Sequence, residues 1–424
     1  MIPSRRLGDA ALALLALAPL GAACWLEGAA LSLSFLGRAT AVLGLTCLLL
    51  AALTSARVPG LDLWFGGLTR LWRLHHYLGA AAFLLLLAHP LLLSFAAARS
   101  SLPAAAAVLI PGPSAWSVWA GWLSLALMAV FLAPTFWFFG RPEYQRWKAL
   151  HALSAAAVVL GLAHTFALGG MRTLWAAYGA CALLAFSYRV FIARRWARRG
   201  FTVVAAQAAG RGVVELTLRP DEGRLEHRDG QFIYLTPLDP GLARGRGEEH
   251  PYTVSSPSGE ADLRVVIKDL GDASRALQTV AVGSKAAVEG PYGEFFHKSD
   301  ADAGELWIAG GVGLTPFLSR VRALAPGEAV DIHLVYCVQD ESRAHFLSEL
   351  EAAAARAPGL RLWPHFFGRE GPLNEAFLRA RCPDFAAREI YVCGPPELIS
   401  AARVELRRAG APAARVHSED FSWL

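Results

Sequence analysis

Up to about residue 193 this chain is a succession of long apolar runs, and few folds tolerate that. In lipid every backbone polar group has to be satisfied within its own segment, which leaves helices as the structure for such runs. Six spans are expected, at 9–30, 35–55, 74–96, 116–138, 148–168 and 173–193, each near the roughly 20 residues that cross a bilayer. Residues 99–115, rich in Ser, Pro and Ala, read as a loop. After Arg194 the apolar runs give way to alternating strands and turns. The reading is a multidomain chain: a six-helix transmembrane bundle over 1–196, an antiparallel β-barrel over 197–298, and an α/β Rossmann-like domain over 299–424.

Basic residues orient the bundle. Arg5, Arg6, Arg57, Arg70, Arg73, Arg141, Arg146, Lys148, Arg194, Arg195, Arg198 and Arg199 fall at the N-terminus and in alternate loops. The opposite loops carry only Arg38, Arg99 and Arg172. The positive-inside rule then places both termini and the second half in the cytoplasm, with the bundle in the inner (plasma) membrane. The net charge of +5 belongs largely to these flanks, so it does not argue for nucleic-acid binding. Arg5, Arg6 and the run ending at Gly21-Ala22-Ala23-Cys24 imitate a signal peptide, but cleavage would delete a span and upset the charge pattern, so none is expected. The six cysteines show no CxxC or zinc spacing, which fits a reduced cytoplasmic half.

Within the apolar runs stand His75 and His89, in LHHYLGAAAFLLLLAHPLLL, and His151 and His164, in LHALSAAAVVLGLAHTFAL. Ionisable residues at membrane depth are costly and usually have a bound partner, and neutral imidazole is a good axial ligand for haem iron. His75 and His89 are 14 residues apart, about 21 Å along a helix and within roughly 40° of one face. His76 competes with His75, but is turned further from His89, and reads as a headgroup or propionate contact. His151 and His164 are 13 apart and would face about 140° from each other on a straight helix. Either that helix is distorted, for instance near Gly161, or two haems meet it at different angles. The spans run so that His75 pairs with His151 at the inner haem and His89 with His164 at the outer. The plain alternative is four histidines bonded to backbone carbonyls in a packed bundle. Arg70, Arg73, Arg146 and Lys148 are inner propionate candidates and Arg38 an outer one, against ordinary interfacial anchoring.

The second half carries four motifs. His250-Pro251-Tyr252-Thr253-Val254-Ser255-Ser256 sets an aromatic and three hydroxyls on an extended segment suited to an isoalloxazine ring, or is a plain edge strand. Gly271-Asp272-Ala273-Ser274 opens a helical stretch whose N–H groups suit a pyrophosphate, or is a plain N-cap. Gly310-Gly311-Val312-Gly313-Leu314-Thr315-Pro316 is a glycine turn between a buried strand and a helix, where open α/β sheets admit a dinucleotide. Cys393-Gly394-Pro395-Pro396 ends a strand and turns into another helix, and by itself also reads as a structural tight turn.

Together these residues resemble the ferric-reductase/NADPH-oxidase superfamily over nearly the whole chain. The resemblance implies a ferric-reductase-like haem domain, a ferredoxin-reductase-type FAD barrel and a NAD(P)H domain. It implies two b-type haems on the four histidines, with Arg38 and Arg73 as propionate candidates. FAD falls to His250–Ser256, Gly271, Ser274 and the C-terminal Phe421, which resembles an aromatic that covers the flavin. NADPH or NADH falls to Gly310, Gly311, Gly313, Thr315, Pro316, Cys393, Gly394 and Pro395. Catalytic roles fall to Thr253, near flavin N5, to Cys393 and to Phe421. Arg343 is the candidate reader of a 2′-phosphate, although Gln339 stands where some relatives place arginine. Electrons would pass to an outer acceptor: O2 giving superoxide, a ferric chelate, or a periplasmic partner protein. Some oxidases carry a further histidine four residues beyond the outer ligand, and here that position is Leu93. No EF-hand loop is present in the sequence, and the short chain suggests a constitutively competent enzyme of bacterial type.

Overall fold

The computed structural model describes residues 5–28, 32–58, 60–135, 144–296 and 304–419. It divides into two compact units, Met1–Arg194 and Arg195–Leu424.

The first unit is helical: α1 Arg5–Glu27, α2 Leu33–Thr54, α3 Leu68–Ala98, α4 Leu102–Leu109, α5 Trp116–Leu132, α6 Tyr144–His151, α7 Leu153–Leu168 and α8 Arg172–Ser187. Among the described residues five helical stretches are long and apolar enough to cross a membrane: Arg6–Leu26, Leu33–Thr54, Leu68–Ala98, Arg146–Leu168 and Arg172–Ile192. The remaining expected span is represented by α5, at 17 residues the short limit for crossing, and residues 136–138 of that expectation lie outside the described residues. The stretch read as a loop in fact carries α4, because Ser101 caps it by accepting from the Ala104 N–H (3.2 Å) and Pro103 suits its first turn.

α2 and α3 approach closely through two glycines. A Cβ on Gly37 would lie 2.8 Å from Leu93, and one on Gly44 2.7 Å from Leu86. The bundle core gathers Leu49, Ala82, Met128, Phe131, Ala157 and Trp175. Among the described long apolar helices α2 is the most buried, chiefly from Gly44 to Thr54.

The second unit holds two sheets. The first is antiparallel, built from β1 Arg198–Gly210, β2 Val213–Pro220, β3 Phe232–Pro237, β4 His250–Thr253, β5 Leu263–Lys268 and β6 Lys285–Tyr292, in the order β4-β3-β6-β1-β2-β5. Val254 bridges Val265 just beyond the two edge strands, so the sheet curls on itself around Phe201, Leu216, Ile233 and Val265. The second is parallel, built from β7 Glu305–Gly310, β8 Ile332–Val338, β9 Leu360–Phe366, β10 Glu389–Cys393 and β11 Val416–Ser418, in the order β11-β10-β7-β8-β9. Helices cover both of its faces over separate cores, and its inner strands read as continuous apolar runs for that reason. After β8 a short turn over Glu341–Arg343 precedes the helix Leu347–Arg356.

Arg322, on the helix Thr315–Ala323, ties the two sheets together. It donates to Glu215 on β2 (2.6 Å), to Glu349 on Leu347–Arg356 (2.7 Å) and to the Ser255 carbonyl (3.1 Å). The Gly230 N–H donates to Ser319 Oγ across the same junction (3.1 Å).

Candidate functional site

In the helical unit the four histidines form two facing pairs. The ring centroids of His75 and His151 are 6.0 Å apart, and those of His89 and His164 are 6.4 Å apart. Two imidazoles sharing one iron at about 2 Å from each nitrogen place their centroids roughly 6 Å apart, so both pairs fit bis-histidine haem ligation. In three of the four, Nδ1 meets a backbone carbonyl: His75 with Ala51 (2.8 Å), His89 with Gly37 (2.8 Å) and His164 with Ser117 (2.7 Å). An N–H to carbonyl bond at Nδ1 fixes the tautomer that leaves Nε2 as the ligating nitrogen. Carbonyl bonding and iron ligation are thus compatible, on opposite edges of one ring. His151 Nδ1 is buried and has no hydrogen-bond partner among the described residues; the ring centroids of Phe131 and Trp147 each lie 5.1 Å from that of His151. His76 points its Nδ1 at the Trp72 carbonyl of its own helix (2.8 Å).

The awkward 13-residue spacing is accommodated by a break, at Ala152 rather than near Gly161. α6 ends at His151 and α7 begins at Leu153. The Ala152 N–H bonds Ala149, and Ala155 bonds Ala152, both one residue tighter than an α-helix. Tighter turns advance about 120° per residue instead of about 100°, which rotates His151 toward the face of His164.

A cavity of about 540 Å³ lies at the outer pair, lined by Arg38, His89, Pro90, Leu93, Gly121 and His164 among others. Gly121 is there for room: a Cβ would lie 2.8 Å from His164 Nδ1. Arg73 stands on α3, two residues before His75, and is half-buried. Arg70 donates to Asp9 (2.7 Å) and to the Phe65 carbonyl (2.8 Å).

In the second unit the glycine turn and the Cys393 turn come together because β7 and β10 are parallel neighbours, with Ala309 opposite Cys393. Backbone packs on backbone: a Cβ on Gly313 would lie 2.5 Å from the Cys393 carbonyl oxygen, and one on Gly310 2.9 Å from Pro395. Gly311 is left-handed (φ 54°), a conformation that favours glycine. Both turns sit at the carboxyl ends of their strands, where open α/β sheets bind ligands, and Thr315-Pro316 starts the following helix. Arg343 is exposed beyond the carboxyl end of the adjoining β8. Cys393 is buried, and burial followed by the nearby Glu419 carboxylate pushes its thiol far above the ordinary range, so it is a neutral S–H at physiological pH.

On the antiparallel sheet, His250–Thr253 forms edge strand β4, with Thr253 opposite Phe232 and Pro251 opposite Tyr234. The rings of Phe232, Tyr234 and Tyr292 lie 6.0–6.1 Å apart in a cluster beside it. Ser255 and Ser256 are fully buried and internally bonded: Ser255 donates to Glu215 (2.8 Å), and Ser256 accepts from the Arg264 N–H (3.1 Å). Those two hydroxyls hold the fold rather than face outward. Ser274 likewise accepts from the Leu270 and Gly271 N–H groups, closing a turn of only five helical residues. Phe421 lies outside the described residues. Sequence reasoning missed Gly293 (φ 96°), where a Cβ would lie 2.9 Å from Glu419 and 3.1 Å from Phe232, so the Glu419 carboxylate sits beside the aromatic cluster.

Three family models match in order: ferric reductase like transmembrane component at 40–162, FAD-binding domain at 198–296, and oxidoreductase NAD-binding domain at 307–404. The chain belongs to the ferric reductase/NADPH oxidase-like superfamily. In these terms the chain carries a ferric-reductase-like membrane component followed by a FAD-binding domain and an oxidoreductase NAD-binding domain. Among curated proteins it is similar to the ferredoxin reductase component of 3-ketosteroid-9-alpha-monooxygenase from Mycolicibacterium smegmatis, 34% identical over 47% of this chain and 57% of that one. It is also similar to the glycine betaine monooxygenase reductase subunit of Chromohalobacter salexigens, 32% identical over 46% of this chain and 56% of that one. The chain thus spans little more than half the length of these relatives. Among solved structures, flavohemoglobin from Malassezia yamatoensis matches with a TM-score of 0.51 at 18% identity, over 82% of this chain and 88% of that one, a likeness of fold.

Proposed function

We propose that this protein is a transmembrane NAD(P)H oxidase: it takes electrons from cytoplasmic NAD(P)H and delivers them, with FAD and two b-type haems, to O2 at the outer face, giving superoxide. The observation that carries the reading is the pair of imidazole sandwiches, 6.0 and 6.4 Å across, set 14 residues apart along α3. FAD converts a two-electron hydride donor into single electrons, which haem iron accepts one at a time.

The chain's own residues divide the work. His75 and His151 hold the inner iron, His89 and His164 the outer, with Arg73 and Arg38 as propionate partners. β4, from His250 to Thr253, and the aromatic cluster beside it seat the isoalloxazine, with Thr253 toward its reactive edge. The Gly271–Ser274 turn offers backbone N–H groups to the pyrophosphate. The Gly310–Pro316 and Cys393–Pro395 turns hold the nicotinamide nucleotide, Arg343 reads a 2′-phosphate, and Phe421 covers the flavin. The domains run 1–196, 197–298 and 299–424, with six spans in the inner membrane and both termini cytoplasmic.

Two observations favour other acceptors. Leu93, not the further histidine of some oxidases, lines the outer cavity, which weakens the case for O2 against a ferric or other metal chelate. Relatives named as reductase components of monooxygenases favour delivery to a partner enzyme, periplasmic in this orientation. An absorption spectrum of detergent-purified protein, before and after anaerobic NADPH, tests the core reading: a b-type Soret band that shifts on reduction is expected, and its absence after haem-replete expression overturns the proposal. Superoxide-dismutase-sensitive cytochrome c reduction, compared with ferric chelate reduction, then separates the acceptors.

A further inference from the structure

α2 supplies no iron ligand, yet both ligands of α3 lean on it. His89 Nδ1 meets the Gly37 carbonyl and His75 Nδ1 the Ala51 carbonyl. Gly37 and Ala51 are 14 residues apart, the same interval that separates the histidines. Each of these carbonyls also receives a threonine hydroxyl from three residues further on. Thr40 Oγ1 donates to Gly37 O (2.9 Å). Thr54 Oγ1 lies 3.0 Å from Ala51 O and 3.1 Å from Leu50 O. Back-bonding by threonine is ordinary in helices. Its placement here is not, because two of the three threonines of α2 load the carbonyls that receive histidine, while Thr46 donates to Val42 (2.7 Å), which receives none.

A carbonyl oxygen has two lone pairs, so a hydroxyl that shares it weakens the other donors' hold. A stronger Nδ1–H bond makes an imidazole more basic and stabilises ferric iron; a weaker one raises the reduction potential. We infer that Thr40 and Thr54 are positioning residues that separately set the reduction potentials of the outer and inner haems by loading the carbonyls that orient His89 and His75. The inference rests on the haem ligation proposed above.

The test is a spectroelectrochemical titration of the purified, haem-loaded, full-length protein, with each component assigned by its loss in His75→Ala or His89→Ala. Thr40→Val should lower the outer potential alone, by a shift on the order of threefold in the oxidised-to-reduced ratio, about half of the roughly 59 mV that tenfold represents for one electron. Thr54→Val should lower the inner potential alone. Thr46→Val should move neither, and Thr40→Ser and Thr54→Ser, which keep the hydroxyl, should stay at the wild-type values and guard against a misfolded valine variant. Unchanged potentials in both valine variants, a common shift of both haems by either, or the same effect from Thr46→Val overturns the inference while leaving haem ligation intact. Wild-type protein without bound haem overturns both.

Discussion

At the scale of the residue, the histidines were legible because an imidazole in an apolar run is expensive enough to demand a reason. What orients them was not. The carbonyls of Gly37, Ala51 and Ser117 are chemically the same as every other carbonyl in the chain, so no side chain announces them. Gly121 is readable only afterwards, from the 2.8 Å that a Cβ would leave to His164. Gly121→Val should displace the His164 ring and remove the outer haem while sparing the inner, read as loss of about half the Soret absorbance per flavin. Equal occupancy of both sites in that variant would mean the ring has other room. Arg343→Ala should weaken NADPH several-fold more than NADH, because a 2′-phosphate contact to an arginine is charge-assisted. Steady-state KM values for the two nucleotides decide it, and equal effects exclude the role.

At the scale of the element, periodicity found the strands and most helices, since apolar runs and turn residues are local signals. It misplaced the distortion in the fifth span because a tightened turn at Ala152 needs no glycine or proline. It also read α4 as a loop, weighing Ser and Pro as breakers where they act as cap and first turn. The order of strands was only partly legible: β7 beside β10, which brings the two nucleotide turns together, is a tertiary fact between segments some 80 residues apart. Gly44 makes a sharp test of α2 as a support. It lies midway between Gly37 and Ala51, and a Cβ there meets Leu86 at 2.7 Å. Gly44→Leu should prise α2 from α3 and reduce occupancy of both haems together, at a stability cost of about 1–3 kcal/mol for overpacking. Loss of one haem alone would show that the two histidines are held independently.

At the scale of the whole molecule, the sequence switch near residue 193 marks the boundary between the two compact units. Within the second unit, Arg322 reinforces an apolar junction in which Val213, Val266 and Phe295 pack with Phe317. Arg322→Met would leave half-buried Glu215 with Ser255 but without its arginine, at a cost of about 1.5–3 kcal/mol for a lost charge-assisted bond. Flavin release on heating should then come several degrees earlier, with the haem spectrum unchanged at room temperature. A melting profile identical to wild type would place the junction's strength elsewhere, in contacts such as Gly230 to Ser319.

The shared dependence of His75 and His89 on α2 has a consequence for how this membrane unit fails. Two coloured centres that hang from separate supports would bleach one after the other on warming. With the haem ligation proposed above, a single rod braces both pegs at a fixed pitch, so the two layers should keep their vertical interval until the rod itself comes loose, and then part at one temperature.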